Sequence, residues 1–408
     1  MSLDLLDGAL ARELSALAAE GRAKPPERVI TGYLPAEGDR GPRFRLQGTD
    51  RLFLRMNAND YLSLSHHPEL LRAAEEASRA LGVGPGAVRF IDGTFSPHVA
   101  LEEAIARFVG KPAARIFSSA YAANLGLALA ITQARTFWIG DALNHNSIIR
   151  AQRIAGVPPG RKAVFAHNDL DDLARRLGAV PAEIERVVVV FDGVFSMRGD
   201  HAPLSGIVEV LAPHRERFPQ GLVTVMDDSH GIGAFGPSGR GTAEVCGAAA
   251  DIVVGTFGKA FGANGGFVAA SRTVVEALRQ RADTTIYSNP PGVGDCAAAL
   301  RALALCDRPE GRRRLGRLQE LAGRLRSGVA ALGWRTLPGR HPIVPLVTGE
   351  TPRTHLLVEH LFRRDILATG LTFPVVPRGE ETVRFQVNAD HTPEDIDRVL
   401  AALADFRC

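Results

Sequence analysis

The chain has little of what would tie it to a membrane, a structural metal or an oxidising compartment. Its 408 residues include only four cysteines, Cys246, Cys296, Cys306 and Cys408, and no C-x-x-C pair. Neither a metal centre nor a disulfide framework is therefore indicated, and a reducing cytoplasm fits. No apolar run approaches the roughly 20 residues of a membrane-spanning helix, so no membrane partner is expected. Leu3, Leu6, Leu10, Leu14 and Leu17 fall on one helical face at the N-terminus, with Asp4, Asp7, Glu13 and Glu20 interspersed. Secretory and transit leaders lack such acids. Net charge is only +3, and no basic run is interleaved with aromatics, which argues against nucleic acid as a partner. Internal repeats and low-complexity tracts are also missing.

What is present suits a large enzyme. With 45% hydrophobic and 23% charged residues, the chain can bury an extensive core. Short β-branched runs alternate with helical stretches, a pattern that predicts an α/β fold: a mostly parallel sheet with helices on both faces. Residues 1–56 read as an N-terminal arm made of a helix, the loop around Pro25 and Pro26, and a small hairpin from Arg43 to Arg55. Residues 57–289 read as a large domain. The break at Pro290-Pro-Gly292 then leads into residues 290–408, a small α+β C-terminal domain that closes with a helix from Pro393 to Phe406. In such folds ligand groups gather at the carboxyl ends of the strands.

Those strand ends carry the chemistry. Asp251-Ile-Val-Val-Gly-Thr-Phe-Gly-Lys259-Ala-Phe-Gly places a lone lysine just past an apolar strand, inside a glycine-rich turn. Partial desolvation there lowers an amine's pKa and frees it to attack a carbonyl carbon; the plain alternative is a solvated loop lysine. Upstream, Leu222-Val-Thr-Val-Met226 runs straight into Asp227-Asp-Ser-His230, and an acid at that point can hold a pyridine nitrogen protonated. The pair suggests pyridoxal phosphate, which also needs a stacking group over the ring and an anion site. Arg115-Ile-Phe117 reads as a strand followed by Ser118-Ser119-Ala120-Tyr121 and a helical run. Small residues at such a turn offer free backbone N–H groups to a phosphate, with Ser119 as a cap of the same helix. His145, after the strand Thr136-Phe-Trp-Ile139, can lie flat over the ring. Ser196, after Val187–Phe191, can reach the phenolic oxygen or simply cap its turn.

Gly231-Ile-Gly233-Ala-Phe-Gly236 is a literal G-x-G-x-x-G after a strand. A dinucleotide fingerprint must open directly into a helix. Here Pro237-Ser-Gly-Arg-Gly241 follows instead, which excludes that reading.

The matching stretches Asn59-Asp-Tyr-Leu-Ser-Leu, Asp141-Ala-Leu-Asn-His145, Asp192-Gly-Val-Phe-Ser-Met197, Asp227-Asp-Ser-His230, Gly255-Thr-Phe-Gly-Lys259 and Phe373-Pro-Val-Val-Pro-Arg-Gly379 run in order over nearly the whole chain. In them the chain resembles the α-oxoamine synthase family of pyridoxal-phosphate acyltransferases, and within it most of all the glycine C-acetyltransferase branch. The resemblance implies an aspartate-aminotransferase-like fold (fold type I). It makes Lys259 the Schiff-base lysine, Asp227 the partner of the pyridine nitrogen and His145 the stacking histidine, with Ser196 and His230 at the phenolic oxygen. By the same resemblance Ala120, Tyr121 and Thr256 hold the phosphate, Ser288 reaches in from a second subunit of a homodimer with shared active sites, and Asn59 and Arg384 hold the substrate carboxylate. An arginine fork suits that last task, since it pairs bidentately with a carboxylate.

The implied reaction joins a small amino acid, glycine first, to an acyl-CoA with release of CoA. Family members either keep the amino acid's carboxylate, as the acetyltransferase does, or expel it, as the biotin-pathway and sphingolipid synthases do. Asn264-Gly-Gly-Phe267 leans toward the sphingolipid pattern, and Ile286-Tyr-Ser-Asn289 toward the acetyltransferase. An aminotransferase of the same fold is the remoter alternative.

Overall fold

The computed structural model describes residues 2–407; Met1 and Cys408, the last of the four cysteines, lie outside the described residues. Near the N-terminus β1 (Ile30–Leu34), β2 (Arg43–Leu46) and β3 (Leu52–Arg55) form an antiparallel meander. The expected hairpin is present in β2 and β3, paired through Phe44 and Phe53.

The centre of the molecule is a seven-stranded sheet. It comprises β4 (Ala113–Phe117), β5 (Thr136–Asp141), β6 (Lys162–Phe165), β7 (Arg186–Asp192), β8 (Leu222–Asp227), β9 (Ile252–Thr256) and β10 (Gly266–Ala270), in the order β4-β10-β9-β8-β7-β5-β6. Strands β5 to β9 pair in parallel. β10 is antiparallel to both β4 and β9, so β4 points the same way as β9. Asp141, Asp192, Asp227 and Thr256, the last residues of β5, β7, β8 and β9, therefore share one rim.

The strands read as continuous apolar runs because both faces are covered. In β7, Val187, Val189 and Phe191 join a core with the helices Ser96–Phe108, Leu170–Gly178 and Val293–Cys306, whereas Val188 and Val190 join a second core under Ala120–Ile131, Asn146–Ile154 and Arg272–Arg281. Val187, Val188 and Val189 are fully buried, each contributing on the order of 2 kcal/mol of apolar transfer energy. A charge at Val188 would have no water and no partner. The result is the mostly parallel sheet with helices on both faces that the sequence predicts.

After the long helix Pro309–Ala331 come β11 (Arg335–Thr336), β12 (Ile343–Val347), β13 (Ile366–Leu367), β14 (Thr369–Leu371) and β15 (Thr382–Gln386). Four of these make an antiparallel sheet, β11-β12-β15-β14, while β13 adds in parallel to β3. A strand from late in the chain thus completes the N-terminal sheet. The buried ion pair between Arg43 and Asp395, at 2.5 Å, ties the same sheet to the final helix. That helix runs Pro393–Ala404, two residues short of the expected Phe406, and starts on a reciprocal Thr392/Asp395 capping box.

The first helix, Ser2–Ala19, buries no residue, and Leu3, Leu5, Leu6, Leu10 and Leu14 are 43–79% exposed. Its leucine face is uncovered within this chain. No described helix is long and apolar enough to cross a membrane.

Candidate active site

The rim formed by the strand ends opens into a cleft of about 360 Å³ whose walls include Ala120, Tyr121, His145, Ser196, Asp227, His230 and Lys259. Seven of the residues singled out from the sequence therefore meet in one place. Lys259 sits in the turn between β9 and β10. Burial draws its pKa down to about 8, against the opposing charge of Asp227. An amine so placed is a nucleophile and a proton carrier near neutral pH.

Asp227 is 6% exposed and both of its oxygens are held. Asn124 Nδ2 donates to Oδ2 at 2.7 Å, and the Ser229 amide donates to Oδ1 at 3.1 Å. The same Asn124 Nδ2 donates to Ser147 Oγ at 2.9 Å, and Ser147 Oγ lies 2.8 Å from His145 Nδ1. Since that nitrogen also accepts from the Ser147 amide at 3.3 Å, His145 is left with its proton on Nε2. Burial lowers its pKa, so the ring on the cleft wall is neutral. His145 is at once the N-cap of Asn146–Ile154 and part of the cleft.

His230 is neutral as well. Burial, and then the charge of Lys259, push its pKa well below the ordinary value. Tyr61 Oη lies 2.7 Å from its Nδ1, and His341 Nε2 donates to its carbonyl at 2.9 Å. Burial also raises the Tyr61 pKa, so the phenol keeps its proton and can donate it.

Ser119 caps the helix Ala120–Ile131 by accepting from the Ala122 amide at 3.1 Å. Ala120 and Tyr121, whose first-turn amides no helix can satisfy internally, belong to the cleft wall. A side chain at Gly266 would collide with the backbone of Ser119 and Ala120, so glycine there lets this turn lie directly on β10. Thr256 is occupied with the glycine turn: its Oγ1 donates to the Gly265 carbonyl at 2.9 Å and accepts from the Gly258 amide at 3.1 Å. Ser288 follows the short helix Asp283–Ile286 beside the 79%-exposed Tyr287 and is not on the cleft wall.

Arg384 lies on β15 and is half-buried. Its Nη1 donates to the Ser196 carbonyl at 2.8 Å, its Nε has no partner among the described residues, and burial lowers its pKa. Asn59 is close by: its Oδ1 accepts from Gln386 Nε2 and lies 3.5 Å from Tyr61 Oη, leaving the amide Nδ2 as a free donor. Asn59 thus bonds to the residue two places along β15 from Arg384.

The glycines of Gly231-Ile-Gly233-Ala-Phe-Gly236 have a different task from a dinucleotide fingerprint. Side chains at Gly231 or Gly241 would strike the buried Asp228 carboxyl, which accepts from the Thr242 amide and hydroxyl at 2.8 Å each. A helix begins only at Thr242.

Asn124, Ser147, Tyr61 and Asp192 were not picked out as site residues from sequence. For Asn124 a signal existed: a lone amide inside Ala-Ala-Asn-Leu-Gly-Leu-Ala is costly unless it has partners.

The donor set fits pyridoxal phosphate. A desolvated lysine, a fixed carboxylate, a neutral imidazole and two residues with first-turn amides surround one cleft, and Ser229 Oγ on its wall has no partner among the described residues. Residues 52–403 match the family described as aminotransferase class I and II. The chain is 39% identical over 371 residues to 8-amino-7-oxononanoate synthase of Geobacter sulfurreducens, covering 90% of this chain and 91% of that one. It is 35% identical to the human mitochondrial 2-amino-3-ketobutyrate coenzyme A ligase, covering 99% and 93%. Among solved structures, the serine palmitoyltransferase of Sphingomonas wittichii superposes with a TM-score of 0.86 at 28% identity, over 97% of this chain and 96% of that one. A serine palmitoyltransferase carrying pyridoxal phosphate also reaches 0.86, at 28% identity, over 98% and 97%.

Proposed function

The chain belongs to the α-oxoamine synthases of the aminotransferase class I and II family, pyridoxal-phosphate enzymes of fold type I, and from that premise we propose that it joins a small amino acid to the acyl group of an acyl-CoA and releases CoA. The observation that carries the reaction class is Lys259, an amine drawn down to about 8 in a cleft that also holds Asp227 and His145.

When bound, pyridoxal phosphate supplies an electron sink for the amino acid's α-carbon. The chain supplies the rest. Lys259 holds the cofactor at rest and afterwards takes and returns the proton at that carbon. Asp227, fixed from both sides, would face the ring nitrogen, the neutral His145 would lie over the ring, and Ser196 and His230 would face the phenolic oxygen. In this reading the amides of Ala120 and Tyr121 hold the phosphate at a helix start, and Thr256 joins them by turning its hydroxyl proton from the Gly265 carbonyl to the phosphate. Arg384 and Asn59 hold the substrate carboxylate, to which an unpartnered guanidinium nitrogen and a free amide are suited.

A second subunit contributes Ser288 in this reading, and the protein acts as a homodimer. The exposed face of Ser2–Ala19 and the exposed Phe90, Ile91 and Tyr287 offer apolar surface to such a partner. A cytoplasmic location suits the free thiols of Cys246, Cys296 and Cys306.

Two readings of the product stay apart. In the acetyltransferase reading glycine condenses with acetyl-CoA and keeps its carboxylate. Relatives named 8-amino-7-oxononanoate synthase favour the other, in which the carboxylate leaves as CO2. The test is a screen of glycine, alanine and serine against short and long acyl-CoAs, following free thiol, with carboxyl-labelled amino acid to trap CO2. Thiol release without labelled CO2 supports the first reading, and release with it the second. Amino acid alone converting the cofactor to its pyridoxamine form, with no thiol released, would overturn both in favour of an aminotransferase.

A further inference from the structure

Asp192 is the carboxyl group of the cleft that none of these roles uses. It ends β7, in register with Asp227 at the end of the neighbouring parallel strand β8. It is 5% exposed, lines the cleft, and its Oδ1 has no hydrogen-bond partner. The backbone around it is pinned: Asn144 Oδ1 accepts from its amide at 3.1 Å. Two carboxyl groups at equal depth on adjacent strands, with the single amine of Lys259 in the same cleft, cannot both be satisfied as anions. Asp227 has two donors, whereas Asp192 has an idle oxygen.

The strand order says which part of the cofactor that oxygen meets. The anion site at Ala120 and Tyr121 follows β4, on the far side of β8 from β7. With the ring nitrogen at Asp227 and the phosphate arm toward β4, the opposite edge of the pyridine, which carries the phenolic oxygen, turns toward β7. We infer that Asp192 holds its proton in the resting protein and donates it to that phenolic oxygen, as a third group there beside Ser196 and His230. The inference rests on the proposed roles of Lys259 and Asp227. Burial, and next the charge of Asp227, raise the Asp192 pKa well above the carboxylate range, against the lowering effects of the His145 amide and Lys259; Asp141 adds to the rise.

The test is a pH titration of the holoenzyme's visible absorbance in wild type, D192N and D192A, with no substrate present. A neutral donor is mimicked by an amide, so the D192N midpoint should stay within about 0.3 unit of wild type. D192A, which leaves the phenolic oxygen short of a donor, should raise the midpoint by about 1 unit. A midpoint that falls in D192N would show that Asp192 is an anion and overturn the proposal. A midpoint unmoved in D192A would reduce Asp192 to an anchor of the His145 turn. Should D192A not fold, infrared difference spectra of wild type against D192N decide: a protonated-acid carbonyl stretch unique to wild type is expected, and its absence sinks the idea. Lys259→Ala run alongside separates the premises, because a visible band surviving in that variant refutes the lysine assignment whatever Asp192 does.

Discussion

Asn124 and Asp227, 103 positions apart in the chain, meet at 2.7 Å inside the cleft. One amide nitrogen thereby fixes the carboxylate proposed for the ring nitrogen and, through Ser147, the histidine proposed to lie over the ring. Asp227→Asn keeps the shape and removes the charge. Turnover should fall by at least about 10²-fold while the cofactor stays bound, because the lost interaction matters most in the transition state. Asn124→Ala leaves Asp227 charged but loosens it and frees Ser147, so a smaller loss, about tenfold, is expected. Rates normalised to bound cofactor check both; equal rates in wild type and Asp227→Asn would remove Asp227 from the role.

Lys259→Ala should abolish the visible absorbance of the bound cofactor and all turnover without lowering thermal stability. The amine's desolvation costs the folded state something, and its part is chemical rather than one of packing. Thermal melts and absorption spectra on the same sample are the measurement. A normal spectrum with full activity would refute the assignment.

These two residues were legible in the sequence for one physical reason. Parallel strands buried on both faces read as unbroken apolar runs, and Leu222–Asp227 and Ile252–Thr256 end abruptly in polar residues at the rim where ligands gather. His145 and Ser196 were legible in the same way. Asn124, Tyr61 and Asp192 were not, because their meaning lies in partners far along the chain: a helix position against a strand end, a phenol against His230, a carboxyl in register with another. β13 was equally hidden, since two residues have no periodicity of their own and pair with β3 only because the fold brings them there. The exposed leucines of the first helix show the reverse case, an apolar face plain in sequence that none of the described residues covers.

Arg384→Ala should raise the KM for the amino acid by roughly 10–100-fold with a smaller change in kcat, the signature of lost carboxylate binding at about 1.5–3 kcal/mol. Arg384→Lys should recover only part of it, because an ammonium lacks the planar fork. Steady-state kinetics against both substrates check this. A KM change confined to the acyl-CoA would place Arg384 in the other subsite.

His167 is clasped by Asp141 at 3.0 Å and Asp200 at 3.1 Å, with Arg198 in turn bound to Asp200 and Phe195 edge-on to the ring. Burial alone would lower its pKa, but the hydrogen bonds and charges of the two aspartates raise it from 6.5 to about 9. A raised folded pKa stabilises fully below the unfolded value and is lost as pH climbs through the folded one. The stability difference between wild type and His167→Gln, on the order of 1–3 kcal/mol at pH 6, should therefore shrink between about pH 6.5 and 9. Denaturant melts across that window check it. A difference that does not change with pH would mean His167 is neutral in the fold.

Shared active sites can be tested by mixing two inactive proteins. Ser288 lies outside the cleft of its own chain, beside the 79%-exposed Tyr287, and in the proposed dimer it completes the phosphate site of the other subunit. Ser288→Asp sets a like charge against that phosphate, and Lys259→Ala removes the essential amine. If the two residues serve one site from different subunits, each mixed dimer has one site with both defects and one with neither. Random exchange of equal amounts makes half of the dimers mixed, so activity should return to roughly a quarter of wild type. Exchange itself is followed with labelled subunits. Confirmed exchange with no activity regained would put Lys259 and Ser288 in the same subunit's site, and the shared-site reading would have to be abandoned.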